Sequence, residues 1–386
     1  MCHPSKKYET ALEFIETGRG VFWSQALQLR TPVDQLQAVD PDLAQKLRDV
    51  SRALEAGALR DVSKDADEPE EHIISWGEAS GSLPQAGCRL GGAPRPDSGT
   101  RWFSRLYAAE DILLPLRSGE KSDSPPRIWW LPTGPFTSLP LHAAGVFDGE
   151  QDQREFVGDY VVSSYIPTIN ALLVPPSQSA LAALKMLAVI QPNAPGQRPL
   201  KAVGEELSRI EKRVSSSVLQ SYGISGRPAH VENVVAQLPT ASIVHFACHG
   251  VQNPYNPLDS ALLLEEQLKV TRLMELQIPH ASLVFLSACQ TAMGDDRLPD
   301  EAMHLAATLL FAGYRSAVAT LWSIQDEDGP TVADSFYEYL TRKQEDHLQG
   351  VPQVAQAAYA LHTAVRKLRD DRCSFVRWIP FIHMGL

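Results

Sequence analysis

This sequence is short of the features that mark secreted and cofactor-binding proteins. Five cysteines in 386 residues, at the irregular positions 2, 88, 248, 289 and 373, make no disulfide framework, so a reducing compartment is expected. No run of 18 apolar residues occurs, the opening MCHPSKKYETALEF has no apolar core of signal-peptide length, and Asn-x-Ser/Thr is absent. The expected setting is the cytosol, or cytosol and nucleus together, with no membrane partner. Gly-x-x-x-x-Gly-Lys-Ser/Thr, Gly-x-Gly-x-x-Gly, Gly-x-Ser-x-Gly and His-Glu-x-x-His are all missing. Nucleotide, dinucleotide, serine-hydrolase and zincin readings thus have no anchor, and no cofactor is expected. Positive charge is in deficit, with 35 Lys and Arg against 46 Asp and Glu. The net −11 repels a phosphate backbone and argues against broad nucleic-acid binding. Aromatics are sparse at 8%, but 44% hydrophobic and 21% charged residues are ordinary for a globular chain.

Single cores rarely exceed roughly 300 residues, so one large domain with an appendage is expected. Three parts follow from composition. Residues 1–60 carry apolar spacing near 3.6, as in Leu43, Leu47, Val50 and Leu54, and predict a helical segment in which Pro41 after Asp40 opens a helix. Residues 61–100 are dense in Asp, Glu, Ser, Gly and Pro. Seven acids against Lys64 between 61 and 80 supply −6 of the −11, which predicts an acidic flexible linker that cannot bury enough apolar surface to offset its ordering entropy.

Residues 101–386 alternate apolar runs with helical stretches, the pattern of an α/β layered domain. Strands are predicted over 128–131, 160–165, 186–190, 242–247, 283–287 and 316–321. Helices are predicted over 202–214, 230–238, 271–276, 300–312, 330–342 and 352–370, with a hairpin in 262–270.

Two of these strands end in unusual side chains. SIVHFA runs into Cys248, His249 and Gly250, and SLVFLS runs into Ala288, Cys289, Gln290 and Thr291. Both are apolar at nearly every position, as central parallel strands covered on both faces are, and in such sheets the active crevice lies beyond the carboxyl ends. If the strands are neighbours, His249 and Cys289 converge there as base and nucleophile. A thiol of pKa about 8.5 needs a nearby imidazolium to become a good fraction thiolate at neutral pH. The backbone N–H groups of Gly250 and Cys289 can face a developing oxyanion. Each residue alone has a plainer reading, since a strand-end cysteine is more often a small buried hydrophobe. His245, inside its strand, reads as a satisfied core histidine, and Cys248 as packing. A metal site from His245, Cys248, His249 and Cys289 is disfavoured because no second closely spaced ligand pair lies near Cys289.

HFACHG, the LSACQTA cysteine 40 residues after its second His, AGYRSAVATLWSIQDEDGP, SFYEYL and the terminal WIPFIHMG together resemble a CHAT domain, the caspase-like peptidase domain often found beside TPR repeats and related to separase. The similarity runs from about Arg127 to the end of the chain. It implies a caspase-hemoglobinase-like fold, with a central, mostly parallel sheet flanked by helices, preceded here by the helical appendage. It also implies a Cys-His dyad of Cys289 and His249 that cuts protein substrates, with a regulatory protein as a further partner. In related peptidases an acid lining the specificity pocket reads a basic side chain before the cut. The match of LWSIQDED to separase-like proteins makes Asp326 the candidate, Asp328 the reserve, and Asp259 in NPLDSALLL a weaker third. Asp326 is equally placed to cap a helix before Pro330. The appendage resembles the helical segment before CHAT domains in fungal TPR proteins. A caspase-like signalling scaffold that cleaves nothing is the competing reading, because fold does not guarantee activity.

Overall fold

A computed structural model describes residues 125–133, 136–137, 139–146, 155–173, 184–253, 257–276, 278, 280–288, 305–342, 350–371 and 373–386, with the helical residues 41, 42, 45, 46 and 116. The rest of the predicted appendage and the predicted linker lie outside the described residues. In chain order the elements are β1 (Arg127–Trp130), β2 (Gly145–Val146), β3 (Glu155–Phe156), β4 (Val162–Tyr165), α1 (Asn170–Leu173), β5 (Met186–Ile190), α2 (Val203–Arg213), β6 (Leu219–Tyr222), α3 (Val231–Gln237) and β7 (Ile243–Ala247). There follow β8 (His249–Val251), β9 (Ala261–Leu263), β10 (Gln267–Lys269), α4 (Val270–Met274), β11 (Leu283–Ser287), α5 (Leu305–Phe311), β12 (Ser316–Thr320), α6 (Asp328–Leu340), α7 (Ala357–Asp370), α8 (Phe375–Trp378) and β13 (Phe381–Gly385).

Eight strands form the main sheet in the order β1-β4-β13-β12-β11-β7-β5-β6. Every neighbouring pair is parallel except β12 with β13, so the sheet is two parallel blocks joined at one antiparallel seam. The α/β, mostly parallel architecture is the one expected. β5, β7, β11 and β12 are buried at every position, because helices and loops cover both of their faces. On one face Met186, Ile243, Leu283, Phe285 and Val318 pack against Ile210 of α2, Val332, Phe336 and Tyr337 of α6, and Leu361 and Ala364 of α7. α2 is held to that face by Val203, Leu207 and Ile210 at helical spacing, and Glu205 and Glu206 in its first turn and Lys212 and Arg213 in its last complement the helix dipole.

The predicted hairpin is present as β9 and β10, paired antiparallel. The last long helix begins at Ala357, after a short turn at Val354–Gln356, rather than at 352. β2, β3, β6, β8 and β13, and the one-turn helices α1 and α8, were not foreseen. β13 is the consequential one, since it sits inside the sheet and is flanked on both sides. Its place is secured by a polar cluster from distant strands. Arg127 donates from Nε to Ser164 Oγ (2.8 Å) and from Nη2 to the Gly385 carbonyl (3.0 Å). The His383 ring bonds Ser164 Oγ through Nδ1 (3.0 Å) and Ser316 Oγ through Nε2 (2.6 Å). Burial lowers Arg127 to about 10.

Gly385 explains why the terminal motif ends as it does. Its φ is +90°, and a Cβ there would stand 2.3 Å from the Arg315 carbonyl oxygen. Gly385→Ala is expected to cost about 2 to 4 kcal/mol, from the left-handed strain and the backbone clash together. Urea denaturation with an unchanged slope checks this, and a variant as stable as wild type would contradict it. Among the described residues no helix is long and apolar enough to cross a membrane.

Candidate active site

The site is set by two neighbouring strand ends. β7 and β11 are parallel, and Ala247 is the register partner of Ser287. Beyond Ala247 the chain passes the buried Cys248 and enters β8 at His249, leaving the main sheet to pair with β9, where His249 faces Leu263 and Gly250 faces Leu262. Ser287 is followed by Ala288, whose carbonyl accepts a hydrogen bond from Thr320 Oγ1 (2.6 Å). Cys289, the candidate nucleophile and second oxyanion donor, lies outside the described residues.

His249 is half-buried, and its Nε2 donates to the Arg198 carbonyl (2.8 Å). A carbonyl can only accept, so Nε2 carries the hydrogen and the neutral ring keeps its lone pair on Nδ1. Arg198 belongs to the loop between β5 and α2. Sequence reasoning missed this contact, because a backbone carbonyl carries no residue signature.

The three acids proposed for a specificity pocket sit in different surroundings. Asp326 is partly exposed, and its Oδ2 accepts the backbone N–H of Ala202 (2.9 Å), which immediately precedes α2. The cap is thus made to the start of α2 and not to the helix containing Pro330. Asp259 pairs with Lys269 Nζ at 2.8 Å. Asp328 opens α6, is 1% exposed, and receives Arg377 through Nε at 3.1 Å to both oxygens and through Nη2. Losing Arg377 would strand a buried carboxylate. Arg377→Met is expected to cost about 2 to 3 kcal/mol, with part recovered by adding Asp328→Asn. Thermal melts of the two variants check this, and a double variant no more stable than the single would contradict it.

Behind the strand ends lies a cluster the sequence did not announce. Glu206 of α2, 1% exposed, is met by His245 Nε2 at Oε1 (3.1 Å) and by the Ser287 hydroxyl at Oε2 (3.2 Å). His245 also bonds the Tyr337 hydroxyl through Nδ1 (3.1 Å) and stacks on Phe285, with ring centroids 4.7 Å apart. Burial and the Glu206 charge hold the Tyr337 phenol well above its usual range. His245 is therefore the satisfied core histidine that was expected. A signal for Glu206 was available, since it falls at helical spacing within the apolar stripe of Val203, Leu207 and Ile210. Among the described residues no group of three or more His, Cys, Asp or Glu is arranged to hold a metal.

The family model of the CHAT domain matches residues 104–386. No curated protein matches the chain in sequence. Among solved structures, similarity extends to the Saccharomyces cerevisiae separase–securin complex at 14% identity and a TM-score of 0.46, covering 74% of this chain and 17% of that one. This chain thus corresponds to well under two thirds of the separase chain. The Arg-specific cysteine proteinase gingipain R matches at 11% identity and a TM-score of 0.46, covering 76% of this chain and 68% of its own. The complex of Porphyromonas gingivalis RgpB pro- and mature domains matches at 12% identity and a TM-score of 0.45, covering 75% and 69%.

Proposed function

Because the chain belongs to the CHAT domain family, we propose that it is a cysteine endopeptidase in which Cys289 and His249 form the dyad. One observation carries the reading. β7 and β11 are adjacent and parallel with Ala247 beside Ser287, and His249 and Cys289 each follow two residues later in the sequence. A nucleophile and its base must meet within hydrogen-bond reach, and matched strand ends are the simplest way to bring two distant parts of a chain to one crevice.

In this mechanism the Cys289 thiolate attacks the scissile carbonyl, forming an S–C bond. The backbone N–H groups of Gly250 and Cys289 hold the oxyanion. Imidazolium His249 gives its Nδ1 proton to the leaving amine as the C–N bond breaks. The Nδ1 lone pair then takes a proton from water, which attacks the thioester and releases the second product. The Nε2–H to Arg198 bond supports this use of Nδ1, because it fixes the ring and tautomer without consuming the basic nitrogen.

The proposed specificity is for Arg or Lys before the cut, read by Asp326. Asp328 is held by Arg377 and Asp259 by Lys269, whereas Asp326 is met by a backbone N–H and stays partly exposed. A peptide-library screen and an electrophilic peptide probe, applied to wild type and Cys289→Ala, test the reading. Cleavage and labelling confined to wild type, with a basic preference, are expected. Equal labelling of both proteins would overturn the nucleophile, and no cleavage by either would leave the scaffold reading.

A further inference from the structure

The loop from β5 and the first turns of α2 touch the site at three places. Arg198 offers its carbonyl to His249, Ala202 offers its N–H to Asp326, and Glu206 takes His245 and Ser287. Of these, Glu206 alone inserts a charged side chain into the core. It reaches β7 four residues before His249 and the last residue of β11. It lies against α6 as well, where a Cβ at Gly329 would come within 2.7 Å of its Oε2 and 3.0 Å of Ser287 Oγ.

A buried carboxylate there is costly to desolvate, and a purely packing role would be served better by an apolar side chain of similar volume. What the carboxylate provides instead is direction. Two acceptor oxygens meet two donors, His245 Nε2–H and Ser287 Oγ–H, one from each strand that leads into the dyad. The bonds tie α2, which follows the loop carrying the Arg198 carbonyl, to the ends of β7 and β11.

We propose that Glu206 is the positioning residue of the site: anchored to His245 and Ser287, it docks α2 so that the Arg198 carbonyl receives His249 Nε2–H and Nδ1 is left as the basic nitrogen. The assignment rests on His249 being the base of the proposed dyad. Glu206 touches neither substrate nor reacting atoms, so its effect passes through the orientation and tautomer of His249.

Glu206→Gln is the discriminating change. An amide has one acceptor oxygen where the carboxylate has two, so either His245 or Ser287 must face an N–H, while shape and volume are kept. The exposed neighbour Glu205, paired on the surface with Arg209, supplies the control Glu205→Gln. Three measurements are made on the full chain: the thermal transition, the histidine side-chain nitrogen spectrum with His249 assigned by its loss in His249→Gln, and kcat and KM on the best library peptide. Expected for Glu206→Gln are a cooperative transition, loss of the single Nε2–H signature of His249, and kcat lowered about tenfold or more with KM within about twofold. Glu205→Gln should match wild type in all three. A wild-type His249 signature and kcat in folded Glu206→Gln would overturn the proposal, as would a loss confined to the unfolded fraction. If wild type cleaves nothing while Glu206→Gln still alters the His249 signature, the positioning stands and the peptidase reading falls.

Discussion

Peptide cleavage should fall at least about a thousandfold in Cys289→Ala, and by a comparable factor in His249→Ala, with little added loss in the double variant. In the proposed mechanism the Cys289 thiolate is the nucleophile that breaks the peptide bond, so its removal leaves just the oxyanion donors and substrate binding to lower the barrier. On the same proposal, removing His249 would take away both the charge that stabilises the thiolate and the proton for the departing amine, and a thiol near its ordinary pKa is only a few per cent ionised at neutral pH. Groups that act as a unit are not additive, so the double variant is the sharper test. Initial rates on the library-selected peptide measure all three proteins. Single-variant losses that multiply in the double variant would show that the two residues do not act together. His249→Ala should melt close to wild type, since among the described residues its half-buried side chain bonds the fold only at the Arg198 carbonyl.

Folding stability should drop steeply as the pH falls from 6.5 toward 4.5. Three histidines lie in or beside the contact between α7, β13 and β4. His142 bonds the Tyr165 hydroxyl at 2.8 Å and the Ile379 carbonyl at 2.9 Å, and burial lowers it to about 4. His362 is likewise lowered to about 4, first by burial and then by Arg366 and Arg369. His383, the most enclosed at 1% exposure, is held well below its usual value by burial and by Arg127. In the unfolded chain each returns to about 6.5. Across the window between these values the unfolded state therefore binds more protons than the folded one. Protonation then favours unfolding, and stability present above pH 6.5 is lost as pH falls. A fully buried site loses about 1.4 kcal/mol per pH unit. His142 and His362 keep an edge toward solvent, so roughly 1 kcal/mol per histidine per unit is the reasonable expectation, or about 3 kcal/mol between pH 6 and pH 5. Paired acids such as Asp334, lowered by its hydrogen bond to Arg213, act in the same direction but only below the carboxylate range. Urea midpoints at pH 7.5, 6 and 5 test the slope, and equal stability at 7.5 and 5 would contradict it.

The strands and helices around the site were legible because their signals are local. MLAVI, IVHFA, LVFLS and SAVAT are short, β-branched apolar runs bounded by turn residues, the signature of covered strands, and each lies within a residue or two of its predicted place. His249 stood out for the same reason, at the end of such a run and followed by glycine. The missed parts depend on partners far away in sequence. FIHMG is as short and apolar as the other strands, but nothing in it names its neighbours, and its position inside the sheet is fixed with Arg127 and Ser164, more than 200 residues earlier.

By itself, then, the sequence determined the layered α/β class, the order of the apolar runs and the candidate reactive residues, all properties of short windows and side-chain chemistry. Only the tertiary structure decided that β7 and β11 are neighbours in matched register, that a carbonyl from Arg198 orients His249, and that the three candidate acids have three different partners. The physical reason is the same in each case. A hydrogen bond between distant residues, or to a main-chain carbonyl, depends on where the packed core sets two backbones, and that position is a sum over many apolar contacts that no single motif records.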